Sequence, residues 1–232
     1  MPLWIRCFHR LCRHVLIGPA LYLWGRPRIV GRHNIPRRGP VVVAANHLAV
    51  LDSFYLTLAV RRQVSFLAKR EYFDRAGVTG RLQRWFFSAV GQIPVDRRGG
   101  AGASSALETA ARIVERGGVW GIHPEGTRSP DGRLYRGRTG AVRVALDAEV
   151  PLVPVAIMGT RRPDRAVPWW QRRVVVEILE PLDLTPFRND GVAGVRAATD
   201  ALMLTIGART GQQYVDEYAK AWQMPVDRPD AA

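Results

Sequence analysis

Short, continuous apolar runs alternate with helix-period segments along most of this chain, and that alternation restricts the possible folds more than any other feature. Val41 to Ala45, Val64 to Ala68, Ala89 to Val95, Val119 to Ile122, Leu152 to Ile157 and Val174 to Leu179 read as strands of a buried sheet. Helical patterns fall between them at about 49–60, 70–87, 106–116 and 139–147, and two more follow at 193–209 and 212–222. The second is interrupted near Gly77 and Gly80. Arg98 to Ala103 reads as a Gly/Ala-rich loop, with Ser105 and Glu108 forming a capping box for the helix after it. Strand and helix in such close succession predict an α/β fold: a mostly parallel central sheet flanked by helices.

Length and composition fit one domain with appendages. The 232 residues are 47% apolar and 23% charged, enough to bury a sizeable core. Expected boundaries are an N-terminal amphipathic membrane-association segment (1–27), the α/β domain (28–222) and a flexible tail (223–232). No stretch approaches the roughly 20 apolar residues that cross a bilayer; the longest candidate runs from Val15 to Trp24. The N-terminal stretch has no small-residue cleavage site and its basic residues run through it, so it does not read as a secretory signal.

Charge points to a negative partner. Net charge is +14, and all 34 basic residues are arginine except Lys69 and Lys220. The first acid is Asp52, so eight arginines precede any carboxylate. Nucleic acid and anionic lipid both suit that asymmetry. Between residues 4 and 16, Trp4, Phe8, Leu11 and Val15 recur at helical spacing with Arg6, Arg10, Arg13 and His14 between them, predicting an amphipathic helix. The pattern runs on through Leu16 to Trp24, broken by Gly18-Pro19. A second basic and aromatic cluster joins Arg161 to Arg173 with Trp169-Trp170.

Several kinds of chemistry lose their usual sign. There is no GxxxxGK[ST] loop, no GxGxxG and no GxSxG. The two cysteines, Cys7 and Cys12, make no disulfide framework or zinc pattern, and no histidine pair has helical zinc spacing. No metal and no resident cofactor are expected.

What remains gathers at strand ends, the edge where open α/β sheets bind ligands. Asn46-His47-Leu48-Ala49-Val50-Leu51-Asp52 follows the first strand. On a continuous helix His47 and Asp52 would sit about 140° apart, but with His47 in a preceding turn Asp52 reaches back to it. The carboxylate would then fix the imidazole tautomer and leave the other nitrogen as a general base. Pro124-Glu125-Gly126-Thr127-Arg128-Ser129 follows another strand and has the parts of a phosphate grip: close backbone approach at a glycine, a hydroxyl and a guanidinium. Glu125 would hold the arginine or a substrate hydroxyl. Gly91 to Arg97 ends a third strand on a charge.

In order and interval, NHLAVLD, GQIPVDR, HPEGTRS and LVPVAI resemble the four signature blocks of the glycerolipid acyltransferase family, which includes the bacterial 1-acyl-glycerol-3-phosphate acyltransferases. The resemblance covers about residues 28–180. It implies that His47 and Asp52 are the catalytic pair. It also implies that Arg97, Glu125, Gly126, Thr127 and Arg128, with Lys69, hold the acceptor's phosphate, and that Asn46, Arg138 and Pro154 are weaker substrate contacts. The implied reaction moves an acyl group from acyl-CoA or acyl-ACP (acyl carrier protein), as co-substrate, to a lysophospholipid or glycerol-phosphate acceptor, first of all 1-acyl-sn-glycerol-3-phosphate. Glycerol 3-phosphate, an aminolipid or a glycolipid are alternative acceptors. The implied partner is an anionic membrane surface, at the cytoplasmic face of the cell membrane, and not nucleic acid; a non-catalytic basic nucleic-acid- or lipid-binding protein is the rival of another class. Two residues depart from the pattern: Ala49 stands where many members have serine, and His123 where the third block usually begins with phenylalanine.

Overall fold

The structure, a computed structural model, describes residues 15, 17–70, 73–74, 76–89, 91–95, 100–161 and 173–220. Its elements in chain order are α1 (Ile17–Gly25), β1 (Arg28–Val30), β2 (Val41–Ala45), α2 (Leu51–Val60), β3 (Val64–Lys69), α3 (Gly77–Ala89), β4 (Gln92–Val95), α4 (Gly100–Glu115), β5 (Val119–Ile122), β6 (Leu134–Tyr135), α5 (Gly140–Asp147), β7 (Leu152–Met158), β8 (Val175–Ile178), α6 (Gly191–Thr210) and β9 (Tyr214–Val215). Seven strands form one sheet in the order β1-β8-β7-β2-β5-β3-β4, and β6 pairs with β9 apart from it. Within the large sheet only β7 and β8 run antiparallel.

β2 shows why its run is apolar throughout. Val41, Val43 and Ala45 point into one core, Val42 and Ala44 into the other, so both faces of the strand are buried. The first core is covered by α1, through Leu21, and by α2, through Tyr55, Leu56, Leu58, Ala59 and Val60. Opposite it α4, α5 and α6 contribute Ala110 and Val114, then Ala141, Val142, Val144 and Ala145, and then Leu202, Met203 and Ile206. The β2-α2-β3 and β3-α3-β4 crossovers step the same way across the sheet, so right-handed connections put α2 and α3 on one face. The step from β4 to β5 reverses, which sends α4 to the other.

Several expectations need correcting. α2 starts at Leu51, leaving 46–50 as a turn, and α3 starts at Gly77, seven residues later than its pattern suggested. α3 also extends through Ala89, so β4 is shorter than the run 89–95. The stretch 100–103 is helical instead of a loop. Ser105 therefore lies inside α4, its carbonyl accepting from the Thr109 hydroxyl at 2.8 Å, and makes no capping box; alanine's helix propensity carries the helix through the glycines. Gly18-Pro19 does not break α1 but sits in its first turn as described, where proline's missing N–H is harmless. Residues 212–220 of the segment expected to be helical at 212–222 form no helix: Gly211 ends α6 at φ 66°, and Tyr214–Val215 pairs with Leu134–Tyr135. The amphipathic pattern at 4–16, apart from Val15, lies outside the described residues, as do 162–172 of the arginine and tryptophan cluster and the tail.

Candidate active site

The first block begins where β2 ends. The Asn46 side chain continues the β2–β7 ladder past the last strand residue: its Nδ2 donates to the Ile157 carbonyl at 2.9 Å and its Oδ1 accepts from the Ile157 N–H at 2.8 Å. The same Nδ2 donates to Gln212 Oε1 at 2.8 Å. Asn46 is fully buried, and these bonds make it an anchor of the turn.

The turn that follows brings His47 back to the first turn of α2. His47 Nδ1 lies 3.0 Å from Asp52 Oδ2, and that oxygen also accepts from the N–H groups of Leu48 at 2.5 Å and Ala49 at 2.7 Å. Asp52 is fully buried and the His47 side chain is 17% exposed, so the carboxylate is hidden while the imidazole reaches the surface. A carboxylate only accepts; Nδ1 therefore carries the proton and Nε2 is left as the basic nitrogen.

The third block closes on the first. Ser129 N–H donates to the His47 carbonyl at 2.7 Å, and His47 N–H donates to Glu125 Oε1 at 2.8 Å. Glu125 Oε2 accepts from Tyr135 N–H at 3.2 Å. Glu125 is fully enclosed, and burial, the leading cause, raises its pKa to about 7 despite the two backbone donors. Its carboxyl group thus ties three segments together with no surface exposed.

Within the third block the chain turns sharply. Gly126 adopts φ 77° and its N–H donates to the His123 carbonyl at 3.0 Å. A Cβ there would stand 2.8 Å from Arg138 Nε, so a glycine lets this guanidinium lie against the turn. Arg138 is exposed, its guanidinium carbon 5.1 Å from the centre of the Tyr218 ring, and its N–H donates to the Pro124 carbonyl at 2.8 Å. Thr127 and Arg128 are half-buried beside it. The turn that bears Arg128 is thus bonded to the His47 carbonyl through Ser129, and Arg138 lies against the same turn at Gly126.

His123 fits this site in a way its position in the sequence did not announce. It is packed flat on His47, ring centres 3.9 Å apart and planes 9° from parallel. Its Nδ1 faces the carbonyls of Ala45 at 3.0 Å and Asn46 at 3.1 Å, and its Nε2 faces Ser53 Oγ at 3.0 Å. Burial, and next the neighbouring His47, lower its pKa to about 3. Ser53, Tyr135 and Gln212 had no sequence signal, because each meets the site through polar contacts with residues outside its own element.

Other expected residues lie elsewhere. Pro154 is buried in the middle of β7, in register with Ala44, its carbonyl accepting from Leu179 N–H at 2.9 Å; it belongs to the sheet and not to a substrate surface. Lys69 ends β3, so its backbone stands at the same edge of the sheet. Arg97, two residues past the end of β4, lies outside the described residues. Among the described residues, no group of three or more His, Cys, Asp or Glu side chains is placed to hold a metal ion.

Comparisons with known proteins bear on the family and the fold. The acyltransferase family model matches residues 26–158, more than half of the chain. A chloroplastic 1-acyl-sn-glycerol-3-phosphate acyltransferase of Brassica napus is 31% identical over 156 residues, 67% of this chain and 44% of that protein. The alpha 1-acyl-sn-glycerol-3-phosphate acyltransferase of Mus musculus is 29% identical over 200 residues, 83% of this chain and 67% of its own. The chain thus spans less than half the length of the plant relative. The crystal structure of the 1-acyl-sn-glycerophosphate acyltransferase of Thermotoga maritima superposes with a TM-score of 0.62 at 24% identity, covering 88% of this chain and 79% of that one, and so shares the fold. Matched through the strands that carry both His47 and the Glu125 turn, this chain belongs to the acyltransferase family.

Proposed function

We propose that the protein transfers a fatty acyl group from an acyl thioester, acyl-CoA or acyl-ACP, to the free hydroxyl of 1-acyl-sn-glycerol-3-phosphate, giving phosphatidic acid. The observation that carries this reading is the His47–Asp52 pair held against the turn that bears Arg128. His47 Nε2 takes the hydroxyl proton as the oxygen attacks the thioester carbonyl. The carbon–sulfur bond then breaks, and the departing thiolate takes the proton back from the imidazolium. Asp52 steadies the ring and its transient charge. Arg128 and Arg138, with Arg97 and Lys69 as further candidates, neutralise the acceptor phosphate and so decide which hydroxyl faces the base. The names of the relatives, which describe acylation of 1-acyl-sn-glycerol-3-phosphate, support this acceptor.

Acceptor and product both live in a lipid surface, and we place the protein peripherally on the cytoplasmic face of a membrane. No described helix is long and apolar enough to cross one. Support comes from where the exposed apolar side chains lie. On α3, Val78, Leu82 and Trp85 follow helical spacing and are 71%, 62% and 44% exposed, with Arg81 and Arg84 also exposed beside them. α3 leaves the sheet at the end of β3, the edge that carries His47. At the far side of that edge α1 ends on exposed Leu23 and Trp24, because Val174 N–H donates to the Gly25 carbonyl and Arg28 lies in register with Val175, beside the end of β7. Apolar side chains bordered by arginine suit an anionic bilayer.

The test is purified protein with labelled acyl-CoA or acyl-ACP and a panel of acceptors: 1-acyl-sn-glycerol-3-phosphate, glycerol 3-phosphate, an aminolipid and a glycolipid. Labelled phosphatidic acid from the first alone is the expected result; label on another acceptor replaces the substrate, and no label with any of them removes the activity.

A further inference from the structure

We propose that His123 is a positioning residue for the base, a neutral imidazole with its proton on Nδ1 that fixes the plane of the His47 ring and joins the two elements carrying His47 and Asp52. This rests on the reading of His47 as general base.

The geometry fixes the state of His123 edge by edge. Both groups facing Nδ1, the carbonyls of Ala45 and Asn46, can only accept, so Nδ1 is the donor. Nε2 must then accept, and its neighbour Ser53 supplies a hydroxyl proton. Every hydrogen-bonding position of the ring is thus used by the neutral Nδ1–H form. The Ser53 hydroxyl could turn to accept from a protonated Nε2, but that second proton would set two cations face to face at 3.9 Å once the His47 imidazolium forms. The other groups near the ring do not change this: Phe66 flanks it with ring centres 5.9 Å apart, and Asp52, the nearby carboxylate, has its Oδ2 engaged by His47, Leu48 and Ala49.

What this does for His47 follows from the kinds of contact it makes. The bond from Nδ1 to Asp52 fixes one atom of the ring but leaves the ring free to tilt about that point. A flat neighbour fixes the plane, and with it the direction of the Nε2 lone pair. The same neighbour offers a neutral π face to the imidazolium as it forms. A phenylalanine at position 123 would supply the face alone. Histidine also bonds the end of β2, which carries His47, and Ser53 in the first turn of α2, which carries Asp52. It therefore holds the distance between base and orienting carboxylate, and that distance sets their hydrogen bond.

The experiment has two arms. Nitrogen-15 spectra of histidine-labelled wild-type protein, recorded from pH 5 to 8 without substrate, should show His123 as a constant Nδ1–H tautomer. An Nε2–H tautomer or a titrating His123 overturns the proposal whatever the enzyme acylates. In the kinetic arm, His123→Ala should lower kcat about 10²-fold, the usual result of misplacing a reacting group by about 1 Å, with KM for the acceptor nearly unchanged. His123→Phe should recover most of that loss, and Ser53→Ala should cost only a few-fold in kcat. Wild-type kcat in His123→Ala, or no recovery in a folded His123→Phe, overturns it. Failure of the acyl-transfer reading is seen separately, as a wild-type protein that labels no acceptor.

Discussion

The centre of the sheet and its β3–β4 flank meet the same solvent-facing edge in opposite ways. At the ends of β2 and β5 the polar groups are buried and engaged: Asn46, Asp52 and Glu125 have no exposed surface, Asn46 and Glu125 bond backbone groups of other segments, and Asp52 bonds those of the turn before it. Along the flank, α3 instead turns apolar side chains outward between arginines. Acid–base chemistry needs groups held to within a fraction of an ångström, and buried hydrogen bonds give that rigidity. Collecting an amphiphile from a lipid surface asks only for adhesion and charge. One edge therefore combines a stiff half for chemistry with an adhesive half for supply.

The stiff half breaks most completely at the base. His47→Ala should lower acyl transfer about 10²–10⁴-fold, the contribution of one placed proton acceptor, with binding to vesicles unchanged. Near-normal turnover would show that the centre is structural. Asp52→Asn comes next, at about 10²-fold or more in kcat. Its amide oxygen can still accept from Leu48 N–H, Ala49 N–H and His47 Nδ1 in the place of Oδ2, but it carries no negative charge to stabilise the imidazolium as it forms. Asp52→Glu should not rescue, because a longer side chain cannot serve all three donors from the same oxygen.

How much of this could be read in advance follows the same division. Strands buried on both faces advertise themselves, and the runs at Val41–Ala45 and Val119–Ile122 match β2 and β5 residue for residue. The pairing of His47 with Asp52 was legible because it is local: five residues, one turn and the start of a helix. The roles of Glu125 and Asn46 were not. A carboxylate that holds the backbone of a residue 78 positions away, or an amide that extends a ladder 111 positions away, leaves no periodic trace. The family resemblance offered both as substrate contacts, and no local pattern points to their part in holding distant backbone. Gly100 to Ala103 and Tyr214–Val215 misled for a different reason: tertiary packing overrode short local patterns.

Glu125 offers a stability test of the buried half. Burial raises its folded pKa to about 7, above its ordinary value of 4.5. As pH climbs between those values, the unfolded chain releases this proton while the native protein keeps it, so this residue's contribution to stability falls across the window. Glu125→Gln removes the titration and sets an amide N–H₂ against one of two backbone donors, His47 N–H or Tyr135 N–H. That should cost about 1–3 kcal/mol, seen as a lower Tm. The gap from wild type should be widest near pH 5 and should narrow toward pH 8, whereas a pH-independent gap would mean that the carboxyl group is not shielded from solvent.

The smallest effect belongs to the adhesive half, and it decides whether the two halves are separate devices. Leu82 and Trp85 are exposed, so changing both to serine removes no core contact and should leave Tm within about 1 °C of wild type, as surface substitutions commonly do. Burying each side chain in the bilayer interface is worth up to about 1.5–3 kcal/mol when complete and less when shallow, so a loss of about tenfold in vesicle binding is expected. Turnover of a short-chain, water-soluble acceptor should stay at wild-type level, while turnover of the same headgroup in anionic vesicles should fall with binding. Equal losses with both acceptors would mean that α3 shapes the catalytic centre itself, and the division of the edge into chemistry and supply would no longer hold.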